Sequence, residues 1–317
     1  MKIMRYLGLI GLAVFLYIVY AIGPGQIAGA FLRLDPVLFA LALLALIPSV
    51  LAKAYRQCLL VNIFGPRLGL IDSAKIWLIG FFFSVISPGK SGNVIKSFYF
   101  KKKPGIPTGK GLSAVVIERF LDVAILFAFV LVSIIGLSFF FTAQADLLAP
   151  TVFLFVLFLL LAFVFTKKNI AILFARPFYR HFVPKKYGPR LRGAFHHFFE
   201  GVGIYKSKKL LLLEAIGLSV FSWSVAIFQC YLIALSLQIN VSFAYLFMVI
   251  PIVNLLSILP IAFSGIGTRE LSIVFFFGLI GISPGLAVSY SLLVFALDIV
   301  AGFAGWLLTF SEKTDIL

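Results

Sequence analysis

Reactive and charged side chains are scarce in this 317-residue chain: two cysteines, three histidines and eleven acidic residues, with charged residues of both signs making up 12%. Cys58 lies near a basic segment and Cys230 within an apolar one, which gives neither a metal cluster nor a disulfide framework and leaves packing as their role. His181, His196 and His197 have no set of carboxylates or cysteines at ligand spacing, so they read as solvated interfacial histidines and no metal is expected. No nucleophile–base pair and no nucleotide-binding loop is visible, which argues against an enzyme and against a bound cofactor.

Apolar sequence dominates instead. At 62% hydrophobic residues and a mean hydropathy of +1.13, the chain exceeds what any soluble core needs and reads as an all-α polytopic membrane protein. The first apolar run follows Lys2 and Arg5 as the core of a signal peptide would, but no clean small-x-small cleavage pattern follows it, so it is kept as a span. Basic residues outnumber acidic ones by 27 to 11, and they cluster. Five of the 27 lie within residues 96–110 and eleven within 167–209, while 142–149 and 236–242 hold none. The positive-inside rule puts the two basic segments in the cytoplasm and the bare ones outside. Six full spans are then expected, at about 6–23, 36–52, 111–141, 147–165, 210–237 and 285–310, with both termini cytoplasmic.

Two further apolar stretches, 71–100 and 245–282, are broken by proline and glycine into arms shorter than the roughly 20 residues a crossing requires, and each reads as a re-entrant hairpin. Their tips carry the same signature, Ser91-Gly92-x-x-x-Lys96 and Ser264-Gly265-x-x-x-Arg269. Broken backbone at membrane depth is tolerated only where protein or a wet cavity meets it, so the tips should line such a cavity. Cutting the chain between 141 and 147 gives two halves of like plan, two spans, a hairpin and a span. Because each half has an odd number of crossings, the second is inverted, the arrangement in which secondary transporters place their substrate site.

The span after each hairpin supplies acids. Glu118 and Asp122 share one helix face while Arg119 is offset by about 100°, and Asp298 sits in Ala296-Leu297-Asp298, an echo of Phe120-Leu121-Asp122. Intramembrane charges pair or face water, so Lys96 and Arg269 are the natural partners of these acids, either around a substrate or as a structural network locking hairpins to spans. Gly, Ser and Thr beside a cation also let backbone N–H groups approach an anion, which makes both tips candidate phosphate-binding elements.

These residues resemble the lysylphosphatidylglycerol synthase transmembrane-region, or flippase-like, family of integral membrane proteins. Pro88-Gly89-Lys90-Ser91-Gly92-Asn93-Val94-Ile95-Lys96 is similar to the family's Pro-x-Arg-x-Gly-Glu-x-x-Arg element. Glu118-Arg119-x-x-Asp122 is a second match, and Gly265-Ile266-Gly267-Thr268-Arg269-Glu270 is similar to its Gly-x-Gly-x-Arg-Glu element. Lys90 and Lys96 stand where arginine is usual and Asn93 where glutamate is usual, which replaces planar forks with point charges. The resemblance implies that some relatives carry a soluble synthase domain, and none is expected in the sequence up to Leu317.

The expected function is translocation of an anionic lipid, a phospholipid or polyprenyl phosphate, by a flippase or scramblase of the cell membrane. The substrate-binding residues would be Lys90, Ser91, Gly92, Asn93, Lys96, Glu118, Arg119, Asp122, Ser264, Gly265, Gly267, Thr268, Arg269, Glu270 and Asp298. The alternatives are a membrane-embedded transferase using Glu118 or Asp122 as base, and a non-catalytic scaffold of a lipid-synthesis complex. Self-association is compatible with each.

Residues 167–209 carry eleven basic residues and only Glu200 as acid, with Leu191, Phe195, Phe198, Val202 and Tyr205 as an apolar stripe, so they should lie on the inner leaflet rather than on nucleic acid. Single cysteines within 101–110 and 167–209 should react with an impermeant maleimide only from the cytoplasmic side, and cysteines within 142–149 and 236–242 only from outside; the reverse pattern would overturn the orientation.

Overall fold

The computed structural model describes residues 34–138 and 188–311 apart from 66, 103–104 and 259–264, together with isolated positions between 17 and 32 and between 155 and 160. The described elements are helical. α1 (Pro36–Leu44) starts where Asp35 caps the N–H groups of Val37 and Leu38 at 2.8 and 3.2 Å, with Pro36 in the first turn where its missing N–H costs nothing. It passes through Ala45 into α2 (Leu46–Asn62), and the two form one 27-residue span. A short arm, α3 (Leu70–Val85), leads through a 3₁₀ segment (Pro88–Ile95) into α4 (Lys96–Lys102), and α5 (Thr108–Ser138) follows.

After α6 (Gly188–Ser207) come the long α7 (Lys209–Ser236), the shorter α8 (Phe243–Ile258) and α9 (Thr268–Gly278), and α10 (Pro284–Ser311).

Four described helices, Pro36–Asn62, Thr108–Leu137, Lys209–Ser236 and Pro284–Ser311, are long and apolar enough to cross a membrane, which makes the chain an all-α polytopic membrane protein. The expected spans at 6–23 and 147–165 lie almost wholly outside the described residues. One expectation is corrected: the helix expected over 36–52 continues to Asn62, because Arg56 is buried among neighbouring helices and Lys53 is half-buried, so neither ends it. α3 and α8 have 16 residues each, about 24 Å of helix, short of a crossing.

Packing follows a crossed scheme. α2 lies along α7; α3, from the first part of the chain, packs on α10 from the last; α8, from the second part, packs on α5; α4 and α9 sit on α5 and α10 respectively. Two apolar cores result, one around Leu60, Ile79, Phe100, Val115 and Leu121, the other around Ile233, Leu246, Phe277 and Tyr290. Buried polar side chains stitch helices together: Gln57 donates to the Ser73 carbonyl (3.0 Å) and Oγ (2.8 Å), Gln229 to the Ala42 carbonyl (3.0 Å), and Tyr245 to the Phe276 carbonyl (2.6 Å). The apolar stripe of α6 splits: Val202 and Tyr205 are buried, with Tyr205 donating to the Leu60 carbonyl at 2.6 Å, while Phe195 is exposed. The end of that stripe therefore docks on protein rather than on lipid, and Lys110 joins α5 to Glu200 of α6 at 2.6 Å.

The α3–α10 contact depends on one glycine. A Cβ on Gly305 would run into the Leu78 carbonyl, whereas one on Gly302 would meet only Val85 Cγ2 at 4.0 Å. Gly305→Ala is expected to destabilise the protein by about 1–3 kcal/mol through overpacking, while Gly302→Ala should be neutral or stabilising by up to about 1 kcal/mol through helix propensity. Thermal unfolding of the two variants in detergent checks the contrast.

Candidate functional site: a buried ion network and a cationic cavity

Arg56 is the centre of the first cluster. It is fully buried on α2, and it reaches two other helices. Its Nη1 donates to Asp122 Oδ1 and to Ser219 Oγ, both at 2.6 Å, and its Nη2 to Asp122 Oδ2 at 3.1 Å and Glu118 Oε1 at 3.2 Å. Glu118 and Asp122 can share one guanidinium because they are a helical turn apart on α5, and the bidentate hold on Asp122 uses the planar fork that lysine lacks. Ionised groups this deep are tolerable only because each has an opposite charge and hydrogen bonds.

The first tip brings a second cation to the same acid. Lys96, 2% exposed, places Nζ 3.2 Å from both Glu118 oxygens. Its aliphatic stem passes over Gly80 of α3, where a Cβ would stand 2.5 Å from Lys96 Cε, and its ammonium lies 5.7 Å from the centre of the Trp77 ring. Lys53 approaches that ring at 5.1 Å. The turn is tight. A Cβ on Gly92 would collide with the Phe83 carbonyl, and the Gly92 N–H donates to Ser87 Oγ at 2.7 Å.

Beside this network is a cavity of ≈ 120 Å³. Lys53, Lys96, Arg119, Glu118, Asp122 and Asn93 give it a polar side, and Trp77, Phe81, Trp223 and Ile258 an apolar one. Arg119 Nη2 is buried and has no hydrogen-bond partner among the described residues. Arg56 lies just behind, paired with both Glu118 and Asp122.

The second tip is built differently. Gly265 and Gly267 take φ of +80° and +87°, a region that penalises any side chain, and the Gly267 N–H donates to Glu270 Oε2 at 2.6 Å, closing the first turn of α9. Thr268 Oγ1 donates within the same turn, to the Gly265 carbonyl at 3.1 Å. Arg269 pairs with its chain neighbour: Nη2 is 2.9 Å and Nε 3.3 Å from Glu270 Oε1. Ser291 of α10 accepts from Arg269 Nε at 3.0 Å and donates to Glu270 Oε1 at 2.9 Å. The guanidinium lies 4.8 Å from the Phe295 ring centre, and Asp298 Oδ2 is 4.0 Å from Nη1. Here one cation faces two carboxylates.

The sequence expected each tip's cation to meet an acid of the following span. Lys96 meets Glu118 of α5, while Arg269 meets Asp298 of α10 only at 4.0 Å and binds Glu270 more closely. The tips do not share the cavity: Asn93 and Lys96 line it, and Gly265, Gly267, Thr268, Arg269, Glu270 and Asp298 do not. Gly92 serves the turn, Ser91 is exposed, the side chain of Lys90 is not described, and Ser264 lies outside the described residues.

Sequence reading missed Arg56, Lys53, Trp77, Ser219, Trp223 and Ser291. Phe81 lines the cavity as well. Arg56 could have been found by balancing charges, since two acids on one face of α5 need more than Lys96.

The arrangement defines a helical membrane protein with an ion network buried between its spans. The chain belongs to the family of the lysylphosphatidylglycerol synthase transmembrane region, whose model matches residues 7–305. It is similar to a UPF0104 membrane protein of Methanocaldococcus jannaschii, with 27% identity over 86% of this chain and 83% of that one. A UPF0104 membrane protein of Methanothermobacter thermautotrophicus is 22% identical over 90% of this chain and 87% of its own length. No solved structure matches.

The two acids near Arg269 should differ sharply. Glu270→Gln strips charge from a carboxylate that holds Arg269, Ser291 and the Gly267 N–H, leaves a buried cation short of its partner, and should cost about 3–5 kcal/mol. Asp298, 36% exposed along its side chain and at 4.0 Å, should cost at most about 1 kcal/mol as Asp298→Asn. Comparable losses in denaturant or thermal unfolding would show that Asp298 is the true partner.

Proposed function

We propose that this protein moves a phosphate-bearing anionic lipid across the membrane, as a flippase or scramblase, without covalent chemistry. The observation that carries this reading is the convergence of three cationic side chains, Lys53, Lys96 and Arg119, on a cavity that has an apolar wall. Clustered cations inside a membrane are costly unless paired or solvated, so a site of this kind suits an anion. A lipid headgroup offers one, and Trp77, Phe81, Trp223 and Ile258 suit the glycerol or prenyl carbons next to it. Arg119 Nη2, buried and without a hydrogen-bond partner among the described residues, is a donor for that anion.

Lys96 then holds the site's shape through Glu118. The name of the family, taken from a synthase of a lysylated phospholipid, sets a phospholipid beside this fold.

The crossed packing, α3 on α10 and α8 on α5, is what two inverted repeats related by a pseudo-two-fold axis would give, and it supports reading 1–141 and 147–317 as such halves with oppositely directed hairpins. In that arrangement both termini and the basic 167–209 segment face the cytoplasm.

The test is a headgroup-accessibility assay in proteoliposomes of the purified protein with a fluorescent anionic phospholipid. Lipid movement well above the protein-free rate, with no new lipid species on chromatography, is expected. Arg119→Gln should slow it at least about tenfold, a loss of about 1.4 kcal/mol or more, with little change in thermal stability because Nη2 leaves no protein acceptor stranded. Movement at the protein-free rate overturns the reading, and a new lipid species replaces it with a transferase.

A further inference from the structure

We infer that Gly80 is a positioning residue of the cavity, keeping the Lys96 ammonium on Glu118 by giving the lysine a bare stretch of helix to lie across. Gly80 is buried in the interior of α3, where glycine weakens a helix relative to alanine. A Cβ there would stand 2.5 Å from Lys96 Cε, 2.6 Å from Cγ and 3.1 Å from Cδ, and these are the three nearest atoms it would meet. Gly92 and Gly305 differ, since the atoms nearest their missing side chains lie on the backbone of Phe83 and Leu78. The space that Gly80 leaves is taken by the stem of a lysine.

The contact at Cγ decides what a side chain at position 80 would do. A clash at Cε alone would let the end of the lysine swing aside and return to Glu118, but a clash at Cγ, close to the root, forces the whole side chain into another rotamer. Nζ is then carried off its present place, 3.2 Å from both Glu118 oxygens. Trp77, Gly80, Phe81 and Ser84 share one face of α3, and all but the glycine line the cavity together with Lys96. The Trp77 ring centre lies 5.7 Å from the ammonium, with Phe81 stacked on the indole at 5.2 Å. Gly80 is thus a notch in the cavity wall, through which a cation of α4 reaches an acid of α5.

Losing that contact leaves the fold its anchor. Glu118 Oε1 keeps its bond to Arg56 Nη2 at 3.2 Å, so a displaced Lys96 strands no buried carboxylate. What changes is the anion site, because the ammonium moves relative to a cavity that it borders. This consequence for lipid movement rests on the translocation reading above, whereas the placement of Lys96 does not.

Two measurements on Gly80→Ala in the full chain separate the parts. Modification of Lys96 by a water-soluble amine reagent, located by peptide mass spectrometry and scaled to the exposed Lys101, should be slight in the unmodified protein, where Lys96 is 2% exposed, and should rise several-fold in the variant. Movement of fluorescent phosphatidylglycerol in proteoliposomes should fall at least about tenfold. Unchanged Lys96 modification overturns the inference. Raised modification with unchanged lipid movement overturns the role in anion handling and leaves translocation standing. If the unmodified protein moves no lipid, the translocation reading fails while Lys96 modification still decides the placement. Should Gly80→Ala unfold, the same substitution in a Lys96→Ala background decides: with the stem gone, the added methyl should cost no thermal stability relative to Lys96→Ala alone. A comparable loss in both backgrounds makes Gly80 a packing residue only and overturns the inference.

Discussion

The guanidinium of Arg56 is the constraint around which the first part of the structure is arranged. It sits where α2, α5 and α7 converge, and its two terminal nitrogens bind Asp122, Glu118 and Ser219 at once. A cation with no exposure cannot wait for its partners to find it, because the desolvation of the charge is of order several kcal/mol before any is recovered. The three helices must therefore meet in one register. That register leaves Arg119, about 100° round α5 from Glu118, lining the cavity that Glu118 and Asp122 also border.

Much of this was legible in the sequence. The helical membrane class follows from composition, the long helices at 108–138, 209–236 and 284–311 from apolar length, and the pairing of Lys96 with Glu118 from the rule that intramembrane charges seek partners. Arg56 was not legible, for a physical reason. A basic residue a few positions past an apolar run looks the same whether it ends the span at the headgroups or turns inward within a longer helix, and hydropathy averages over both. Direction is set by the helix face. Ala52, Arg56 and Val61 lie on the buried side, but only the neighbours α5 and α7 reveal that side as the interior rather than lipid. Trp77 and Trp223 escaped notice similarly, since an aromatic in an apolar helix carries no mark of facing a cavity.

The two clusters answer one problem in opposite ways. The first distributes its charges over α2, α4 and α5 beside a cavity; the second compresses its main pair into adjacent residues of α9, with a serine from α10 bridging them. Similar Ser-Gly-x-x-x-cation signatures thus lead to different electrostatic environments, because the deciding residues, Arg56 and Glu270, have no counterpart in the other tip.

That difference governs what each hairpin is free to do. Lys96 is bonded to a carboxylate on another helix, so drawing the first tip away from α5 would separate opposite charges in a medium that screens them poorly. Arg269 and Glu270 travel on the same turn, with the Gly267 N–H fastened to the same acid. The second tip is an electrically self-contained piece. Its ties to α10 are the two hydrogen bonds of Ser291, the contact of Arg269 with the Phe295 ring and the 4.0 Å approach to Asp298, none of which separates a directly bonded pair of opposite charges.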